Sequence, residues 1–165
     1  MVPKRKSKVA IRLLAALGFI AVCFAVSALA QLAAGGTPGE WYRGLRKPAF
    51  QPPNWLFGPV WTVLYVCMAL AAWLVWSAGG FRRARGALVL FAVQLVLNGA
   101  WTPLFFGLHR PGIAFVELVA LWVAIVLTTW RFFRIRAPAG VLMLPYLAWV
   151  SFAGVLNFAI WRLNA

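Results

Sequence analysis

Acidic side chains are almost absent from this chain of 165 residues: Glu40 and Glu117 stand against sixteen Lys plus Arg. Histidine occurs once, as His109. The two acids lie far apart in sequence and no nucleophile sits in a recognisable motif, so neither a hydrolytic triad nor a catalytic carboxylate pair is supported. A haem protein of the membrane-bundle type offers histidines inside helices. His109 falls instead in a five-residue turn, Gly107 to Pro111, and reads as a solvated loop residue. Cysteine is scarce too. Cys23 and Cys67 lie within apolar runs with no metal-ligand spacing, which makes them packing residues rather than a zinc site or a disulfide framework. Charged residues of both signs make up 11%, where a soluble domain carries about 25%.

Apolar residues are what the chain has in excess, at 64%, with a mean hydropathy of +0.87. Too few polar side chains remain to clothe a water-facing surface. This excludes a soluble enzyme of average composition and a disordered regulator, and implies an all-α integral membrane bundle. A bilayer core of about 30 Å is crossed by roughly 20 apolar residues in a helix. Five stretches qualify: 9–34, 55–78, 87–106, 113–133 and 141–160. Turn and helix-start signals separate them at Gly35-Gly36-Thr37-Pro38-Gly39, Pro52-Pro53, Gly79-Gly80, Arg110-Pro111-Gly112 and Ala137-Pro138. Asn54 is the expected N-cap of the second helix, and Pro138 a first-turn residue of the fifth. The whole chain, 1–165, is one five-helix domain with a long first loop over 35–54.

The start of the chain also has the look of a cleaved signal peptide: Lys4-Arg5-Lys6-Ser7-Lys8, an apolar run, then Ala28-Leu29-Ala30. A signal h-region spans roughly 7–15 residues. The uncharged stretch from Leu13 to Ala34 has 22, which favours a retained first helix. The basic residues cluster in gaps between spans, as the positive-inside rule requires, and this argues against nucleic acid as their partner. The N-terminus, second loop and fourth loop hold eleven Lys and Arg; the first loop, third loop and C-terminus hold five. The first group is expected in the cytoplasm, with the long first loop on the other side.

Glu117 lies within the fourth span, where a charge is costly and marks a functional hypothesis by default. The plainer reading is a carboxyl near the interface that snorkels, is protonated or hydrogen-bonds to a neighbouring helix. The aromatic content is the unusual signal: ten Trp, thirteen Phe and three Tyr. Trp73, Trp76 and Trp130, near span ends, fit an interfacial belt. Others recur at helical spacing: Trp61 and Tyr65; Asn98, Trp101 and Phe105; Tyr146, Trp149, Ala153 and Asn157. An amide in hydrocarbon needs a partner, either another helix or a ligand. These stripes therefore describe helix packing or a pocket for a flat apolar ligand with polar edges.

From Trp41 onward the chain carries a more specific pattern. Trp41-Tyr42, Leu45, Lys47-Pro48, Pro52-Pro53, Trp55, Gly58-Pro59-Val60-Trp61 and Tyr65 are followed by Asn98, Trp101, Pro103 and Phe105-Phe106-Gly107. Pro145-Tyr146-Leu147-Ala148-Trp149, Leu156-Asn157 and Trp161-Arg162-Leu163-Asn164 complete it. The pattern resembles the translocator protein (TspO) family, also called the peripheral benzodiazepine receptor family. The resemblance implies five transmembrane helices, a homodimer, and a first loop lidding a pocket for protoporphyrin IX or a haem-type tetrapyrrole and for isoquinoline-type drugs, with no resident cofactor or metal. It places Trp41, Tyr42 and Pro52 at the lid. Trp61, Tyr65, Asn98, Trp101, Phe105, Tyr146, Trp149 and Ala153 then belong to the ligand site.

The functions this implies are a porphyrin sensor or carrier linked to tetrapyrrole or stress regulation, a light-dependent porphyrin-degrading enzyme with Trp61 and Trp149 as oxidisable candidates, or a sterol or small-molecule transporter. Propionates of a porphyrin would pair with Arg43, Arg46 or Lys47. Sterol binding is expected to be weak. Phe158 and Ala159 stand where animal members carry tyrosine in a cholesterol motif. That departure and the basic N-terminus suggest a bacterial member in the cell envelope, in contact with membrane lipid.

Overall fold

The computed structural model describes residues 4–36 and 39–165, with side chains from residue 9 onward. Thr37 and Pro38 of the first-loop turn signal lie outside the described residues, as do the side chains of Lys4, Arg5, Lys6 and Lys8. The described chain is helical: α1 (Lys4–Ala33), a short α2 (Glu40–Gly44), α3 (Asn54–Thr102), a π-helical turn (Pro103–Gly107), α4 (Pro111–Ile135) and α5 (Ala137–Leu163). Four helices are long and apolar enough to span a membrane. At a rise of 1.5 Å per residue α3 would measure about 74 Å if straight, more than twice the bilayer core. It does not run straight. Gly80 breaks it with φ 66 and ψ −178, so α3 folds back on itself as two antiparallel arms, 54–79 and 81–102. Five crossings result, and the chain is a multi-pass membrane protein.

The turn between these arms is shorter than the loop over 79–86 that hydropathy predicted. Gly80 alone leaves helical geometry, in a conformation glycine reaches without a Cβ clash. Arg82, Arg83 and Arg85 are therefore helical, on the first turns of the second arm. Arginine is a good helix former, and low hydropathy does not unwind it. For the same reason α1, α4 and α5 run past the apolar stretches read from sequence into their polar flanks. At its far end the third span stops short of Phe106 as α-helix. Pro103 has no N–H to donate, and Leu108 N–H reaches back to Pro103 C=O at 2.8 Å, the wider π register. Asn54 is not a cap: Pro53 holds that position without a side-chain bond, and Asn54 begins the helix, its Oδ1 accepting from Gln51 Nε2 at 3.5 Å. Pro138 does sit in the first turn of α5.

The helices pack through small residues and aromatic edges. A Cβ on Gly99 would meet Val26 Cγ1 at 2.9 Å, so α1 lies close against the second arm of α3. Phe91 stacks on Phe132 with centroids 6.0 Å apart, joining that arm to α4. Trp122 Nε1 donates to Ser151 Oγ at 2.8 Å between α4 and α5. Trp73 Nε1 donates to Arg12 C=O at 2.9 Å, tying the start of α1 to the end of the first arm of α3. The outward faces carry many exposed Val, Leu and Ile side chains, including Leu14, Leu32, Val96 and Val116. Such a surface suits lipid and would be an aggregation hazard in water. Cys23 is buried, Cys67 half-buried, and both are free.

The two ends of the bundle differ in charge. One end gathers Arg12, Arg82, Arg83, Arg85, Arg131, Arg134 and Arg136, all exposed. The other carries the first loop, His109, Arg110, the C-terminus and both acids.

Candidate ligand site within the bundle

A cavity of about 630 Å³ opens inside the bundle at the end that the first loop covers. Its walls come from α1, both arms of α3, α4 and α5, and its mouth from α2. Of the residues singled out in the sequence, Tyr42, Trp61, Tyr65, Asn98, Trp101, Phe105, Trp149 and Ala153 line it. Helical periodicity explains the convergence: positions three and four apart point the same way. Trp61 packs on Tyr65 with centroids 5.5 Å apart, Trp101 stacks on Phe105 at 5.0 Å, and Phe57 meets Trp149 edge-on at 5.7 Å.

Two amides cross-link the wall. Tyr65 Oη donates to Asn98 Oδ1 at 2.7 Å, and Asn98 Nδ2 donates to Tyr146 Oη at 3.0 Å. Asn98 thus joins the two arms of α3 to α5, and is only 5% exposed. Trp101 Nε1 donates to Asn157 Oδ1 at 3.0 Å, while Asn157 Nδ2 donates to Pro111 C=O at 2.8 Å. The packing role and the pocket role coexist: both asparagines bond across the bundle, and both line the cavity. An asparagine amide offers two donors and two lone pairs, so Asn98 keeps one N–H and one lone pair beyond these bonds.

Three of the sequence-derived residues lie off the wall. Tyr146 is fully buried behind it, held by Asn98 and packed edge-on to Trp61 at 6.2 Å. Pro52 is in the loop segment just before α3. Trp41, half-buried in α2, is stacked on His109 with centroids 4.3 Å apart and edge-on to Phe105 at 5.9 Å. His109 is exposed, as a loop residue should be, yet it has an aromatic partner and a left-handed φ of 54 that brings its ring there.

The lid is tied down by the chain's other end. Arg46 N–H donates to Asn164 Oδ1 at 2.9 Å, and Asn164 Nδ2 donates to Arg46 C=O at 2.9 Å and to Ile160 C=O at 2.7 Å. Lys47 Nζ is held over the Tyr42 ring at 4.7 Å and donates to Arg43 and Leu45 carbonyls, both at 3.2 Å. Of the three loop cations, Arg43 is the one that lines the cavity. Burial raises the Tyr42 hydroxyl above its usual pKa, against a smaller lowering by the Gln51 side chain.

Sequence reasoning missed the α1 wall, Phe24, Ser27 and Gln31, as well as Phe57, Thr102, Leu118 and Leu121. Ser27 and Gln31, four apart in the otherwise apolar part of α1 after Arg12, were the available signal. Glu117 is half-buried beside Leu118; both its carboxyl oxygens are enclosed and make no hydrogen bond among the described residues. Gln94 is fully buried with both amide atoms likewise unpartnered.

The model of the TspO/MBR family matches residues 19–162. The chain belongs to the TspO/MBR family. It is 46% identical over 129 residues to the tryptophan-rich protein TspO of Chlorobaculum tepidum, covering 77% of this chain and 82% of that one. Protein CrtK of Rhodobacter capsulatus is 42% identical over 147 residues, 86% of this chain and 92% of its own. The translocator protein of Homo sapiens is 43% identical over 127 residues, 76% and 75% of the two chains. The matched region of this family member holds the first loop, both arms of α3 and the cavity wall.

Proposed function

We propose that this protein is a membrane receptor or carrier for porphyrins and related flat apolar ligands, held in the cavity inside the bundle. One observation supports the reading most: a cavity of about 630 Å³ is walled by indole, phenol and phenyl rings, with Arg43 at its mouth. Ligand sites of small molecules span about 300–1,000 Å³, mostly apolar with a few placed polar groups. Trp61 and Trp149 offer faces on which a macrocycle stacks, and Asn98 and Gln31 offer amides to its polar edge. A guanidinium at the mouth suits a propionate that stays near water while the ring is buried.

A titration with protoporphyrin IX in the dark, followed by tryptophan quenching on purified protein in detergent, tests this. Saturable binding is expected, about tenfold weaker in Trp149→Ala, in line with roughly 1–3 kcal/mol for a base stacked on an aromatic ring. Arg43→Gln is expected to weaken protoporphyrin IX and leave an uncharged isoquinoline ligand unaffected. Non-saturable binding, or binding indifferent to both substitutions, would remove the reading.

Light-dependent breakdown of the bound porphyrin is a second reading, favoured by the position of Trp61 and Trp149, both of which line the cavity. Illuminated porphyrin loss should then fall in a Trp61→Phe, Trp149→Phe double variant that still binds. Loss at the wild-type rate would count against it.

A further inference from the structure

The arginine-rich end carries charge that nothing in the described protein answers. Its seven exposed arginines share that end with no acid, since Glu40 lies in the first loop and Glu117 near the start of α4, both at the other end. Like charges so gathered repel one another unless an anion joins them. The last turns of α4 organise part of this set. Trp130 is 52% exposed, and two guanidinium groups lie over its ring: Arg131 at 5.1 Å and Arg134 at 5.9 Å from the centroid. A guanidinium resting on an indole face has its position fixed by the ring while its N–H fork stays free in the guanidinium plane. That fork matches the oxygen pair of a phosphate. Trp130 itself is an amphipathic ring at the end of a membrane span, the level at which lipid headgroups lie. Arg136, exposed in extended backbone just beyond α4, adds a third cation.

We infer that Trp130, Arg131, Arg134 and Arg136 form a binding site for the phosphodiester headgroup of an anionic phospholipid. The indole holds two guanidinium forks at headgroup depth, and the exposed apolar flank of α4 takes the acyl chains. Val119, Val123 and Leu127 are exposed along that helix. An anionic lipid satisfies both features together, which a soluble polyanion does not: it brings phosphate to the forks and hydrocarbon to the valine and leucine side chains. The site is at the opposite end of the molecule from the lidded cavity and does not depend on what the cavity binds.

The test uses the full chain in nanodiscs of phosphatidylcholine doped with phosphatidylglycerol, with retained lipids counted by native mass spectrometry after extraction. Retention of phosphatidylglycerol over phosphatidylcholine is expected, and Arg131→Gln with Arg134→Gln should reduce it by about 25-fold, since each cation near a surface contributes a factor of about five. Arg110→Gln with Arg162→Gln removes equal charge from the other end and should leave the preference intact. Trp130→Leu keeps every charge and should still cost several-fold, because the forks lose their support; circular dichroism on each variant confirms the helical fold. Equal retention of the two lipids overturns the proposal, as does equal loss from the two arginine pairs. Displacement of the retained lipid by stoichiometric inorganic phosphate or a short oligonucleotide would also overturn it, assigning the patch to soluble anions.

Discussion

Asn98 divides its amide between two tyrosine hydroxyls, so removing it tests packing and binding together. Asn98→Ala leaves Tyr65 and Tyr146 without their partner in a low-dielectric interior. The expected loss is about 1–3 kcal/mol of stability, read as a lower unfolding temperature in detergent with no ligand present. Ala153→Leu separates the two roles: it fills part of the cavity, touches no hydrogen bond, and should block ligand while leaving the Asn98 network alone. A second residue-scale test concerns close approach. A Cβ on Gly140 would run into the ring of Phe133, whereas one on Gly18 meets nothing within 4 Å. Gly140→Ala should therefore destabilise by about 1–3 kcal/mol through overpacking at the α4–α5 contact. Gly18→Ala should be neutral or stabilising by about 0.5–1 kcal/mol, since alanine is the better helix former. Equal effects at the two glycines would contradict the packing described. The Asn98–Trp101–Phe105 stripe was readable because helical periodicity is a local property. The pairing of Trp41 with His109 was not, because it depends on two loops brought together by the rest of the fold.

Among the elements, the first loop is the one whose position most needs explaining, because it has one short helix and no span of its own. Asn164 supplies the answer: its amide completes both polar groups of the Arg46 peptide, much as a neighbouring strand would. Stacking of Trp41 on His109 and burial of Tyr42 against Phe105 and Phe106 close the other side. Asn164→Ala should raise the hydrogen-exchange rate of the Arg46 amide by about tenfold, for a bond with a net worth of about 1 kcal/mol or more. Asn164→Asp keeps the acceptor and loses the donor, so its effect should be smaller. Exchange unchanged in both would mean that the aromatic contacts alone hold the lid. The spans themselves were legible, since 20 apolar residues have few other uses. Their ends were not. Hydropathy marks where the chain leaves hydrocarbon, whereas the helix stops where backbone geometry or a missing N–H stops it, at Gly80 and at Pro103.

At the scale of the molecule, five crossings put the termini on opposite sides, and charge decides which side is which. Eleven Lys and Arg belong to one end and five to the other, counted over the whole sequence. The positive-inside rule is read from short loops close to span ends, and the turns at Gly80 and Arg136 are each a single non-helical residue. Their arginines also sit on helix termini, so they cannot swing away from the interface as residues in a long loop would. We therefore expect the arginine-rich end in the cytoplasm and the lidded cavity mouth facing out of it. Single cysteines report this directly. Arg110→Cys should react with an impermeant maleimide on intact cells and Arg85→Cys should react only after permeabilisation, both in a background where Cys23 and Cys67 are replaced by alanine. Labelling of Arg85→Cys on intact cells would reverse the topology. The cavity would then open to the cytoplasm and the phospholipid site would face the opposite leaflet.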